Sequence, residues 1–190
     1  MKLSETEFWL CAFYFGYTEI PGIAAIEINQ QNIDREKIRR HLSDQKVMEL
    51  ENETYAFTPL GHHIFHTIGD TDAYMRIEGK ARKRRIYIKN QNYICIDQKE
   101  GQVKIYLLPS LPLVIGAYAD ALEEPEVELE GKVGQEEIKL QIVCSKEGRV
   151  VYKKCGKTES HKEYEKANCV NDVTLWLLSS LGKKWGRING

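Results

Sequence analysis

"DREKIRRHLSDQKVMELENETYAFTPLGHHIFH", residues 34 to 66, decides how the N-terminal part of this chain folds. Asp34 is a good N-cap, and Ile38 and Leu42, with Ile33 just before, form a stripe at helical spacing. Glu36 and Arg40 stand four apart, placed to pair on the outer face. Val47, Met48 and Leu50 are then answered by Tyr55 and Phe57 across a turn near Asn52, which predicts a hairpin. Thr58-Pro59 opens a further helix through Phe65. Helix, hairpin, helix is the order of the recognition helix, wing and closing helix of a winged-helix domain.

Such domains usually read DNA, but this one has the wrong charge for it. The hairpin carries Glu49, Glu51 and Glu53, and up to Ile68 six cations face ten acids, a net of −4. Non-specific DNA affinity comes mostly from neutralising phosphates, so specific DNA binding is not expected. Arg35, Arg39 and Arg40 are the candidate nucleic-acid contacts of the alternative reading, a winged-helix DNA-binding transcriptional regulator.

Upstream, Ser4 and Glu7 make a capping box, with Leu3 and Phe8 at the staple positions. The helix they open carries Phe8, Trp9, Leu10, Phe13, Tyr14 and Phe15, leaving almost no polar face, and Gly16 stops it. A helix apolar all round must be buried on more than one side, and part of it can lie at a partner interface. Pro21 and "GIAAIEI" predict a short second helix.

Downstream, the hydrophobic period changes to two from Ala81. "RRIYIK", "YICIDQ" and "QVKIYLL" are three expected strands, and "SLPLVIGAYADAL" an expected helix. "EVELEG", "EIKLQIVC" and "RVVYKK" are three more, before a long helix expected from near Ser160. Lys99-Glu100-Gly101 and Lys146-Glu147-Gly148 recur forty-seven residues apart, which suggests a degenerate β-β-β-α repeat about a pseudo-twofold axis. The expected architecture is α+β: a winged-helix-like unit over residues 1–68, then a mixed or antiparallel sheet with flanking helices over 81–190, packed as one body. The two strand blocks should share one sheet, with Ile86, Ile88, Ile138, Leu140 and Ile142 inward and the helices around Val114 and Trp176 on that face.

The totals announce no strongly charged partner. Of 190 residues, 27 are Lys or Arg and 28 Asp or Glu, with 42% apolar, enough for a core. No run is long enough for a transmembrane helix, so membrane insertion is not expected. Five widely spaced cysteines without a C-x-x-C pattern fit a reducing compartment, and the cytoplasm is the expected location. Cys144 and Cys155 could face each other across a hairpin, but buried free thiols are expected there.

Few residues suggest chemistry. His62, His63 and His66 form the one dense ligand cluster, yet they make an incomplete shell, and no metal site is expected. The basic run Gly79 to Arg85 reads as a solvated loop and edge strand. Asp97 and Asp120 read as lone carboxylates. No catalytic constellation or cofactor site is expected.

The opening "LSETEFWLCAFYFGYTEIPGI" resembles the start of the EspG-type chaperones of type VII (ESX) secretion. The order of elements is also similar, with "FTPLGHHIF" before the strands and a mixed sheet with a pseudo-twofold repeat. The resemblance implies a cytosolic, non-enzymatic chaperone or adaptor that shields the apolar tip of a helical secretion substrate. It transfers no contact residue. The surface expected to bind that partner is the C-terminal segment, where Trp176, Leu177, Leu181 and Trp185 are rimmed by Lys183, Lys184 and Arg187. Nothing in the sequence sets an oligomeric state.

Overall fold

The computed structural model describes residues 1–28, 33–80, 83–122, 124–133, 136–144, 149–155, 158–164 and 168. The protein is α+β, with helices against a large antiparallel sheet. The chain begins with a three-residue strand, β1 (Lys2–Ser4), which passes straight into helix α1 (Glu5–Tyr14). Ser4 is the N-cap. Its side chain accepts from the Glu7 N–H at 3.2 Å, and Glu7 Oε2 accepts from the Ser4 N–H at 2.7 Å, which closes the capping box.

Helix α2 (Arg35–Asp44) is N-capped by Asp34, whose carboxylate accepts from the Lys37 N–H at 3.0 Å. The hairpin β2 (Met48–Glu51) and β3 (Thr54–Phe57) follows. Its turn places Asn52 and Glu53 at positive φ. Helix α3 (Pro59–Gly69) then begins with Thr58 as N-cap, and runs one turn past the expected end at Phe65.

The segment "GIAAIEI" is not the expected helix. Residues 21 to 28 hold only an isolated bridge from Ile20 to Ile23. The sheet takes up its carbonyls: the Tyr87 hydroxyl donates to Pro21 O at 2.7 Å and Arg85 Nε to Gly22 O at 2.7 Å. Gly22 itself sits at φ +75°, which no ordinary helical residue adopts.

Among the described residues nine strands make the main sheet, in the order β1-β7-β6-β5-β4-β8-β9-β10-β11. They are β4 (Ala73–Gly79), β5 (Lys83–Lys89), β6 (Asn92–Lys99), β7 (Gln102–Leu108), then after helix α4 (Leu111–Leu122), β8 (Glu126–Val133), β9 (Glu136–Cys144), β10 (Arg149–Cys155) and β11 (Thr158–Tyr164). Both strand blocks therefore lie in one sheet. Among the described residues each block has four strands rather than three. The first gains β4, whose alternation of buried Ala73, Met75 and Ile77 starts eight residues before the expected change of period. The second gains β11 in place of the start of the helix expected from Ser160, because "TESHKEY" pairs along its full length with β10.

Leaving β1 aside, the strand order is symmetrical about the β4–β8 pair. Arg76 faces Glu130 at the centre of that pairing, so a topological twofold relates residues 54 apart. It carries Lys83–Lys89 onto 137–143, inside β9. The two Lys-Glu-Gly segments are not equivalent under it: one joins β6 to β7, while the other falls in sequence between β9 and β10. Cys144 pairs with Arg149 and Cys155 with Ile138, at opposite ends of the β9–β10 pair. Six residues of strand, roughly 20 Å, separate them, too far for a disulfide.

The sheet is buried on both faces in its first half. On one side Tyr87, Ile94, Ile96, Val103 and Ile105 join Phe8, Ile64, Phe65 and Ile68 of α1 and α3 in one core. On the other, Ile77, Ile86, Ile88 and Cys95 are buried, and α4 lies against β6 and β7 with its Val114 buried. Ile142 is buried too, while the side chains of Ile138 and Leu140, also expected inward, lie outside the described ones. The expected helix around Trp176 lies outside the described residues. Each large apolar side chain so enclosed contributes roughly 1.5–3 kcal/mol of transfer free energy.

Candidate functional site

The N-terminal elements build a groove whose floor is apolar and whose α2 wall is basic. Its position is set by the cap of α1. Glu7 Oε1 holds His41 Nδ1 of α2 at 2.7 Å, while its other oxygen serves the capping box. A second tether runs from the Lys2 N–H to Gln45 Oε1 at 2.7 Å. These bonds fix α2 across α1. At the far end Val47 N–H donates to Leu42 O, which turns the chain into the hairpin.

Strand alternation then sorts the hairpin into two faces. Met48 opposes Phe57, and Leu50 opposes Tyr55. These side chains share one face, while Glu49 and Glu51 belong to the other. Leu10 and Tyr14 of α1, Ile38 and Leu42 of α2, and Met48, Tyr55 and Phe57 of the hairpin enclose a groove of about 330 Å³. The Tyr14 ring rests 4.6 Å from that of Phe57, yet 69% of Tyr14 stays exposed. Phe13 is 39% exposed beside it, and Leu50 is 60% exposed on the groove face of the hairpin. Large apolar groups in one exposed neighbourhood mark a contact surface more often than isolated ones do. Cys11 lies at the base, where burial, with Glu7 second, pushes its thiol up to about 12 and keeps it protonated and unreactive.

The three arginines of α2 do different things. Arg40 Nε pairs with Glu36 at 3.1 Å, as the four-residue spacing predicts. Arg35 and Arg39 line the groove, and the Arg39 guanidinium stands 5.8 Å over the Tyr55 ring. Arg35 sits in the first helical turn, where the macrodipole disfavours a cation by about 0.3–1 kcal/mol. Local helix stability therefore does not account for its presence.

The histidines gather on α3. The His62 and His66 rings are stacked with centroids 5.9 Å apart, and His66 Nδ1 is 2.9 Å from the Tyr17 hydroxyl. Glu49, Glu51 and Lys89 line the same open hollow. Among the described residues no three His, Cys, Asp or Glu side chains are placed to hold a metal ion.

The basic run ends differently from its expected reading. Arg84 and Arg85 are buried, and β5 is an inner strand. Arg84 gathers the two carboxylates that looked solitary in sequence: Asp97 takes its Nε at 2.6 Å and one terminal nitrogen at 2.8 Å, and Asp120 the other at 3.2 Å. That other terminal nitrogen also donates to Ala117 O at 2.8 Å, clamping α4 to the sheet. The hydrogen bonds to Asp97, outweighing partial burial, raise the Arg84 pKa still further. Strand register alone brings Arg84 opposite Asp97, and no spacing in the sequence displays it. The groove, by contrast, had a sequence signal: an α1 apolar all round, and a hairpin with one apolar face.

Trp176, Leu177, Leu181, Lys183, Lys184, Trp185 and Arg187 lie outside the described residues. Among the described residues no helix is long and apolar enough to cross a membrane. Comparison of the chain with protein-family models and with characterised proteins returns no match.

Proposed function

We propose that this protein is a non-enzymatic, cytoplasmic chaperone or adaptor whose groove between α1, α2 and the β2–β3 hairpin takes an apolar helix of its partner. The resemblance to EspG-type chaperones makes a helical substrate of type VII secretion the partner class to test. The observation that carries the reading is the groove itself, with Tyr14 and Leu50 left exposed beside it. Grooves of this kind take amphipathic helices through anchors at i, i+3, i+4 and i+7. A DNA-binding regulator is the weaker reading. The expected second helix of a winged-helix unit is replaced by irregular chain, Arg40 is engaged by Glu36, and Glu49 and Glu51 lie exposed on the hairpin.

The test is site-specific crosslinking in the native host, with a photoreactive phenylalanine in place of Tyr14 and, as control, in place of Lys99 on the β6–β7 turn. A helical protein captured from position 14 and not from 99 is expected, and Tyr14→Asp should abolish its co-purification without lowering the melting temperature. Identical capture at both positions sinks the reading. Trp185→Ala in the same assay asks whether the C-terminal segment adds to binding.

A further inference from the structure

Resting on that docking reading, we propose that the groove selects a partner helix with an acidic flank: two carboxylates one turn apart, set against Arg35 and Arg39. Both arginines stand on the same wall of the groove, four residues apart on α2. Among the described residues neither has a carboxylate partner, whereas the neighbouring Arg40 is taken by Glu36. Of the nearby acids, Asp34 caps α2, Glu36 pairs with Arg40, and Glu49 and Glu51 belong to the opposite face of the hairpin. The wall is therefore cationic beside an apolar floor, and a partner with an apolar stripe alone would leave that charge unanswered.

The spacing defines the complement. Residues four apart on α2 are offset by about 6 Å along its axis, the same offset as two acids at i and i+4 of a helix laid beside it. Each guanidinium offers a planar fork that a carboxylate meets with two hydrogen bonds. The Tyr55 ring, beneath Arg39, supports that fork from one face. The apolar side of the incoming helix then meets Leu10 and Tyr14 on one bank and Met48 and Tyr55 on the other.

Two synthetic amphipathic helices test this, identical on the apolar face and flanked by glutamate in one and lysine in the other. Each is labelled with fluorescein, and binding to the full chain is read by anisotropy. The glutamate peptide is expected to bind about tenfold more tightly at physiological salt. Arg35→Glu with Arg39→Glu should reverse the order, and the milder Arg35→Gln with Arg39→Gln should erase the preference with an unchanged thermal melt. Equal affinity for both peptides, lost for both with Tyr14→Asp, overturns the acidic partner and leaves the docking reading standing. A glutamate preference that survives removal of both arginines also overturns the proposal. Binding of neither peptide by the unaltered chain overturns proposal and docking reading together.

Discussion

Arg84 and Asp70 show what single charged residues do in this protein. Arg84 tolerates burial because Asp97, Asp120 and the Ala117 carbonyl all accept from it, joining two strands and a helix. Asp70, past the end of α3, is the surface counterpart. It accepts from Lys89 Nζ at 3.0 Å and lies 3.7 Å from His66 Nδ1. The Lys89 hydrogen bond, assisted by Tyr17, holds its carboxyl below the ordinary aspartate value, against a smaller opposing effect of burial. A depressed folded pKa contributes stability in full above the unfolded value of about 3.9, and that contribution is lost as pH falls through the folded value. Asp70→Asn should therefore melt below the unaltered protein at neutral pH, with the gap closing as the pH is taken from about 5 to about 2. A gap that stays constant, or widens in acid, would show that ion pairing is not what Asp70 contributes.

At the scale of elements, the helix starts were legible and the irregular chain was not. Ser4, Asp34 and Thr58 cap three helices as their residue types and the apolar stripes after them predict. Local chemistry decides a cap, so a sequence window contains it. The loop at 21 to 28 depends instead on Arg85 and Tyr87, more than sixty residues away. Its Ile26 and Ile28, both half-buried, followed a period of two that the helical reading passed over. The start of α3 offers a test of packing against propensity. A Cβ at Gly61 would stand 2.5 Å from the Val47 carbonyl oxygen, which also accepts from Thr58 N–H. Gly61→Ala should destabilise the protein by about 1–3 kcal/mol despite alanine's better helix propensity, as read by urea unfolding. Gly116 of α4 meets nothing within 4 Å, so Gly116→Ala should be neutral or stabilise by up to about 1 kcal/mol. Similar results from both would mean that α3 does not press on Val47.

Across the whole molecule, the two strand blocks and their common sheet were legible in the sequence, but not the number of strands in each block. Alternation marked β5 to β10 because their apolar rows are strong. It missed β11, whose "TESHKEY" has no apolar alternation and, among the described residues, pairs with β10. Such a composition suits the last strand of the sheet among the described residues, since charge discourages edge pairing. The groove's residues were legible as a helix too apolar to face water. Its basic wall was not, because Arg39 meets Tyr55 and Arg35 comes to line the same groove only in three dimensions. The symmetry about β4 and β8 makes the last expectation sharp. Among the described residues the second block meets the first where β8 pairs with β4 along its length, and Val127 and Leu129 are fully buried there, with Ile77 directly opposite Leu129. A fragment beginning at Pro125 would strip β8 of that partner, leaving a row of free N–H and C=O groups beside newly exposed apolar side chains. Losing those two burials alone forfeits about 3–6 kcal/mol, comparable with the whole stability of a small domain. The fragment should show no cooperative urea transition and poor amide dispersion by NMR, while the complete chain unfolds cooperatively. If the fragment folds as a monomer with a sharp transition, the second meander carries a core of its own, and the sheet is an assembly of two independent halves.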